Sequence, residues 1–334
     1  DSQHHKTRAP ILLPSPKLNV MNMVESGDDL IKAFDQSAAG TSWGEAVGAV
    51  VVKPLAKALK DRDSVYGVIK GWGMNNDGAS NGITAPDAKA QAEVLIKAWK
   101  HAGVHPEDIQ YIETHGTGTK LGDPIEIKGL TMAFESMTHK KQFCGIGSVK
   151  TNIGHTIGAS GMCSLIKVLL MLKHKKLAPS LHFNQPNQFI SFMDSPVYVI
   201  DRLVEWQQGK NGRYAGISAF GFSGTNCHMV IGEAPEQKQE QEEIMLSVQV
   251  LTVSAKSQEG ILSYMGGYIR YLEQNPQCSL KELCYTASTG RGHYNYRVAV
   301  PCNTVEQLRE KLIQITADGL VHCEEYGVYY GVHQ

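Results

Sequence analysis

GIGSVKTNIGHTIGASGMCSLIKVLLMLKHKK, Gly145 to Lys176, reads as strand, loop and helix within 32 residues. A short apolar run ends near Val149, a polar loop KTNIGH follows, and an apolar segment from Thr156 to His174 closes on lysine and histidine, the charges that suit a helix C-terminus. Gly158, Ala159, Ser160 and Gly161 make the opening turns small, so the helix can pack close to another backbone. His155 is expected at that helix's N-terminus, where the dipole would keep its ring neutral. A neutral imidazole carries one N–H to donate.

The same order recurs upstream. IETHGTGTKLGDPIE (112–126) places His115 in a glycine- and threonine-rich loop after the apolar run IQYIE. Taken alone, His115 fits a general base, an oxyanion donor, a metal ligand or a packed turn residue. Two such loops at one end of one sheet would aim two N–H donors at a single oxygen, an arrangement suited to an enolate or tetrahedral oxyanion. A third loop, GISAFGFSGTNCH (216–228), links two strand-like runs as a hairpin turn, and its backbone N–H groups could add an anion-binding nest.

Other strand candidates are AVGAVVV (46–52), YGVIKGW (66–72) and PVYVI (196–200). DAKAQAEVLIKAWKHAG has helical periodicity, bounded by Pro86-Asp87 and Gly103. EAPEQKQEQEEI (233–244) breaks the pattern with charged and amide side chains and reads as a linker. Beyond it VQVLTVSA and RVAVPC read as strands, SQEGILSYMGGYIRYLEQ and VEQLREKLIQITADG as helices. The chain is therefore α/β, with a second, smaller α/β domain.

With 334 residues, a formal net charge of -1 and 42% hydrophobic residues, the composition fits a soluble globular chain. The near-zero charge gives no electrostatic case for nucleic acid or an anionic membrane. Apolar runs such as Ile166 to Leu172 read as too short to span a bilayer, and no signal peptide is apparent, so a cytoplasmic location is expected. The seven cysteines (144, 163, 227, 278, 284, 302 and 323) lack CxxC spacing and suggest neither a disulfide framework nor zinc. GTGTKLGD and GHTIGASG lack a P-loop lysine, GFSG lacks the GxSxG spacing of a serine hydrolase, and His115 and His155 have no evident partners for a metal.

HGTGTKLGDPIE, SVKTNIGHTIGASG and AGISAFGFSGTN, in this order, resemble the signature loops of β-ketoacyl synthase domains from modular polyketide synthases, of the thiolase-like superfamily. FDQSAAGTSWGEAVGAVVVKPL (34–55) matches the same family. Ala39 and Ala46 depart from its usual Asp and Gly. The similarity runs from about Ile11 to Pro235. KLGDPIEIKGL and HFNQPNQFISFMDSPVYV lean toward bacterial assembly lines whose acyltransferases act in trans. Leu246 to about Asp318 resembles the small domain that follows such ketosynthases. The implied division is a non-matching segment 1–10, the C-terminal portion of a ketosynthase over 11–234, a polar linker 235–245 and a linker domain 246–334. The implied fold is the layered α-β-α-β-α thiolase-like arrangement, mainly its C-terminal half.

The resemblance also implies roles. His115 and His155 would bind the thioester carbonyl of a malonyl group on acyl carrier protein, promote loss of carbon dioxide and stabilise the enolate, with Lys150 in support. Phe220, Gly221, Phe222, Gly224, Thr225 and Asn226 would line or gate the acyl channel. Thr117, Thr119, Asp123, Glu126 and Asn152 would structure the loops. No metal or directly bound cofactor is implied; phosphopantetheine arrives on the carrier protein as the substrate arm. Family members attack with a cysteine in a DTACSSS-like elbow, and that motif is absent here. ILLPSPKLNV corresponds to the segment after the nucleophile's helix, so the cysteine is expected from a missing N-terminal half. Further expected partners are the rest of a polyketide synthase and a second copy in the complete homodimeric ketosynthase. The alternative is a catalytically silent structural or docking module.

Overall fold

The computed structural model describes residues 25–78, 86–235 and 248–333. The expected N-terminal segment 1–10 and most of the linker 235–245 lie outside them. The chain divides into two compact units, residues 1–236 and 237–334.

In the first unit the elements run α1 (Leu55–Lys60), β1 (Val68–Asn76), α2 (Ala88–Ala102), β2 (Ile109–Glu113), α3 (Gly122–Glu135), β3 (Cys144–Gly147), α4 (Lys150–Ile153) and α5 (Ser160–His174). They continue through β4 (Lys176–Leu177), β5 (Val197–Val199), β6 (Val204–Glu205), β7 (Tyr214–Phe220) and β8 (Thr225–Gly232). Six strands form one sheet in the order β1-β8-β7-β2-β3-β5. Strand β2 pairs parallel with β7 and β3, and β3 with β5, while β1–β8 and β7–β8 are antiparallel. The parallel strands β2, β3 and β7 thus end at the same edge. This topology gathers HGTGT, KTNIGH and the β7–β8 turn, since ligand sites in such sheets lie beyond the carboxyl ends of the strands.

Burial explains the layers. On one face, Val94, Leu95, Ala98 and Trp99 of α2 join Ile127, Leu130 and Phe134 of α3 over Ile109, Ile112, Ile146 and Val230. On the other, Val168, Met171 and Leu172 of α5 pack with Tyr111, Ala215, Ile217 and Ile231. Neighbouring Val230 and Ile231 face opposite cores, as strand alternation requires. Asp87 caps α2 by accepting from the N–H groups of Lys89 and Ala90 at 2.7 and 2.9 Å, and Gly103 closes it in the left-handed region at φ 61°. Helix α2 sits so close to β1 that a Cβ on Gly71 would lie 2.4 Å from the backbone nitrogen of Ala102.

Buried His228 is a core residue. Trp99 Nε1 donates to its Nε2 at 3.3 Å, so Nδ1 carries the proton and faces Ser218 Oγ at 3.0 Å. Burial lowers its pKa to about 3 and keeps it neutral.

Three sequence expectations are corrected. AVGAVVV forms no strand: residues 46–52 make no ladder, and Val47 and Val51 are fully exposed. Its β-branched residues give strand propensity, but among the described residues no neighbouring strand takes up its backbone groups. The α-helix begins at Ser160, after a 3₁₀ turn at Ile157–Ala159 in which Ile157 has φ 49°. Finally, Ile157–His174 is long and apolar enough to cross a membrane by length and composition, with 18 residues of mean hydropathy 1.3. Here Lys167, within that window, pairs with buried Glu113 at 2.7 Å, and Val168 packs in the core.

The second unit has β9 (Gln249–Ala255), α6 (Gln258–Gln274), α7 (Leu280–Thr289), β10 (Tyr296–Cys302), α8 (Val305–Asp318) and β11 (Tyr329–Val332). Its antiparallel sheet runs β11-β10-β9. Ser257, Ser279 and Thr304 cap the three helices. Leu251, Val253, Ile261, Val298, Val300, Leu308 and Leu312 fill its own core.

Candidate active site

The site is built from the ends of β2, β3 and β7. Buried carboxylates hold the first two loops through backbone amides. Glu126 accepts from the N–H groups of His115 and Gly116 at 2.7 and 2.9 Å. Asp123 accepts from Gly118 N at 3.1 Å and Phe34 N at 2.7 Å. Glu113 accepts from Val149 N at 2.5 Å, joining the end of β2 to the approach to Lys150. Ser148 donates its hydroxyl to the Gly116 carbonyl at 2.9 Å. Burial pushes the Asp123 carboxyl up to about 7 and raises that of Glu126, against the backbone amides that favour their anions.

The loops bring the rings of His115 and His155 to 5.6 Å between centroids, edge on at 85°. Each ring is oriented by a main-chain amide. Phe220 N donates to His115 Nδ1 at 3.4 Å, and Ile157 N donates to His155 Nδ1 at 3.1 Å. With Nδ1 accepting, a neutral imidazole carries its proton on Nε2, so both rings present a donor. Burial lowers the pKa of His115 well below the ordinary value, helped by Lys150 and His155. Burial, then Lys150, lowers that of His155 to about 4. His155 precedes the 3₁₀ turn Ile157–Ala159 that leads into α5 at Ser160. Lys150 is itself buried; desolvation lowers its pKa, opposed by the charges of Glu113, Glu126 and Asp123.

The remaining expected residues divide. The Phe220 ring lies 5.7 Å from His115. Gly221, Phe222, Gly224 and Thr225 form the β7–β8 turn, with Gly221 N donating to Thr225 O at 2.7 Å and Phe222 exposed. Asn226 is buried and donates to Asp77 Oδ1 at 2.6 Å and Asn75 Oδ1 at 3.2 Å. Thr117 and Thr119 face each other at 3.3 Å, and Thr119 Oγ1 accepts from Gly122 N at 3.1 Å. Asn152 is exposed and joins its own loop through its main-chain amide, which donates to Val149 O at 2.9 Å.

Sequence reasoning missed Asp77 and the stretch Ser42–Gly44. Asp77 N also donates to Gly224 O at 2.9 Å, so the NND at the end of β1 holds the turn from below. The signal for Asp77 was a polar Asn-Asn-Asp-Gly run after an apolar strand. Ser42 O accepts from His155 N at 2.7 Å and Gly44 N donates to His155 O at 3.1 Å, a clamp on both sides of the histidine. A Cβ on Gly44 would stand 2.1 Å from the Ile153 carbonyl oxygen. Gly44→Ala is therefore expected to cost about 1–3 kcal/mol, read as a lower urea midpoint. An unchanged midpoint would show that the clamp is slack.

Cys144, Cys284, Cys302 and Cys323 are buried, and none of the seven is paired in a disulfide. Cys163 accepts from Thr156 Oγ1 at 3.6 Å. Burial raises the thiol pKa of Cys144 and Cys227. Among the described residues no group of three His, Cys, Asp or Glu side chains could hold a metal ion.

Residues 66–184 match the β-ketoacyl synthase C-terminal domain, and residues 249–312 match the CurL-like, PKS C-terminal domain. The chain belongs to the polyketide synthase ketosynthases. It is 43% identical to polyketide synthase PksL of Bacillus subtilis over 305 residues, covering 89% of this chain and 7% of that protein. Against erythronolide synthase EryA3 of Saccharopolyspora erythraea the identity is 35%, over 82% of this chain and 9% of that one. The ketosynthase from module 6 of the Bacillus subtilis bacillaene synthase superposes with a TM-score of 0.82 at 38% identity, covering 97% of this chain and 56% of that one. The module 1 ketosynthase from Bacillus amyloliquefaciens gives 0.83 at 37%, covering 92% and 55%. The fold is thiolase-like, and the chain spans about half the length of these solved ketosynthases.

Proposed function

We propose that this ketosynthase chain supplies the decarboxylation and oxyanion site for a decarboxylative Claisen condensation between an acyl thioester and malonyl-acyl carrier protein. The observation that carries this reading is the pair of Nε2–H donors on His115 and His155. Aimed at the malonyl thioester oxygen, they stabilise negative charge there as the bond to the carboxylate breaks and carbon dioxide leaves with its electron pair left behind. The enolate carbon then attacks the enzyme-bound acyl thioester, forming the new carbon–carbon bond and expelling cysteine thiolate. Lys150 supports the site through its charge.

The acyl-bearing cysteine comes from a part of the complete ketosynthase that this chain does not span. Exposed Val47, Val51, Ile153 and Phe222 fit a chain that receives an apolar partner surface. The malonyl group arrives on phosphopantetheine of a carrier protein charged by an acyltransferase acting in trans.

The test is to incubate the chain with an acyl thioester and search for acyl-cysteine by mass spectrometry. No acylation is expected until an N-terminal ketosynthase polypeptide is supplied. Stable acylation of this chain alone at any of its seven cysteines defeats the account.

A further inference from the structure

The clamp around His155 carries a side chain with no role in the site so far. Trp43 forms an isolated parallel bridge with His155, and the two rings stand 5.7 Å apart at an interplanar angle of 38°. The indole is pinned on its far side, with Nε1 donating to Glu25 Oε1 at 2.7 Å. Glu25 is fixed in turn by a bridge to Thr41, beside the Ser26 N–H bond to Thr41 O at 2.7 Å. Trp43 is 38% exposed, so one part of its surface covers the imidazole and the rest meets solvent.

We propose that Trp43 is a positioning residue for His155, with its indole, aimed by Glu25, screening one side of the imidazole from water and fixing the ring as a neutral donor. This rests on the reading of His155 as an oxyanion donor. Three observations combine here: the main-chain bridge sets the distance, the ring contact covers the imidazole, and the Glu25 bond removes the indole's freedom to swing away. The other titratable groups at His155 are Lys150 on α4 and His115 on the loop after β2. Cys163 lies on α5 next to Thr156. Removing the indole leaves all of these in place and changes only the cover. Since burial comes before Lys150 among the causes that hold His155 down, its loss moves the titration upward.

The experiment is a histidine titration of the full chain by NMR, with the His155 signal assigned through its loss in His155→Gln. Trp43→Ala is expected to raise the His155 midpoint from about 4 toward the ordinary 6.5, by about one unit, which is tenfold more imidazolium at a given intermediate pH. Trp43→Phe keeps a ring in place and should move the midpoint by less than half as much. Trp43→Leu serves if the alanine variant does not fold, and should match the alanine result. A midpoint that stays at the parent value in folded Trp43→Ala or Trp43→Leu overturns the proposal. No thioester or carrier protein is involved, so this titration succeeds or fails independently of the decarboxylation assay that tests the function of the site.

Discussion

Replacing His115 or His155 by alanine in a ketosynthase reconstituted with its N-terminal half is expected to lower malonyl decarboxylation by roughly 10²–10³-fold, the usual cost of one oxyanion donor, or ~2.7–4 kcal/mol. The two variants should resemble each other, because each ring is fixed as an Nε2 donor by its own main-chain amide. The double variant should lose less than the product of the single losses, since groups that act together on one oxygen are not additive. Release of carbon dioxide from malonyl-carrier protein, followed separately from condensation, is the measurement. Unchanged decarboxylation in either single variant removes that histidine from the proposed mechanism and favours the silent docking module.

The second large effect is on stability. Glu113 is fully buried and accepts from Val149 N, from Tyr111 Oη at 2.7 Å and from Lys167 Nζ at 2.7 Å. Glu113→Ala leaves the Lys167 ammonium, whose side chain is only 10% exposed, without its carboxylate. Breaking such a pair from one side typically costs ~3–5 kcal/mol. It also frees the Val149 amide that steers the chain into Lys150, so the loss of stability should come with a loss of decarboxylation. A paired Glu113→Leu and Lys167→Met replacement should recover much of the stability, because no charge is then stranded. Urea unfolding of the single and double variants decides the matter. A single-variant loss below about 1 kcal/mol means that water reaches the pair and screens it.

Much of this architecture was legible because local signals agreed. Asp87 and Gly103 bracketed α2, and the apolar runs at 109–113 and 144–149 became β2 and β3. The meeting of His115 and His155 was legible as a condition, two loops at one end of one sheet, and the parallel pairing of β2 with β3 meets it. Long-range pairing was less visible. Nothing near Trp43 in sequence points to His155, more than a hundred residues away, because the link is a main-chain bridge and main-chain groups are the same at every residue. Residues 46–52 show the converse failure: valines favour extended backbone, but a strand needs a neighbour, and propensity does not supply one. The start of α5 was misplaced because Ile157, a β-branched residue, takes a positive φ that sequence patterns do not suggest.

The amides of Phe220 and Ile157 have a consequence for how this site can change. The place of the proton on each imidazole is decided by an N–H that every residue except proline possesses. The side chains at 157 and 220 are thereby released from that duty. Other side chains at these two positions can then be accepted without changing which ring nitrogen carries the proton. Chemistry held by the backbone and selectivity carried by side chains can then diverge independently in such a scaffold.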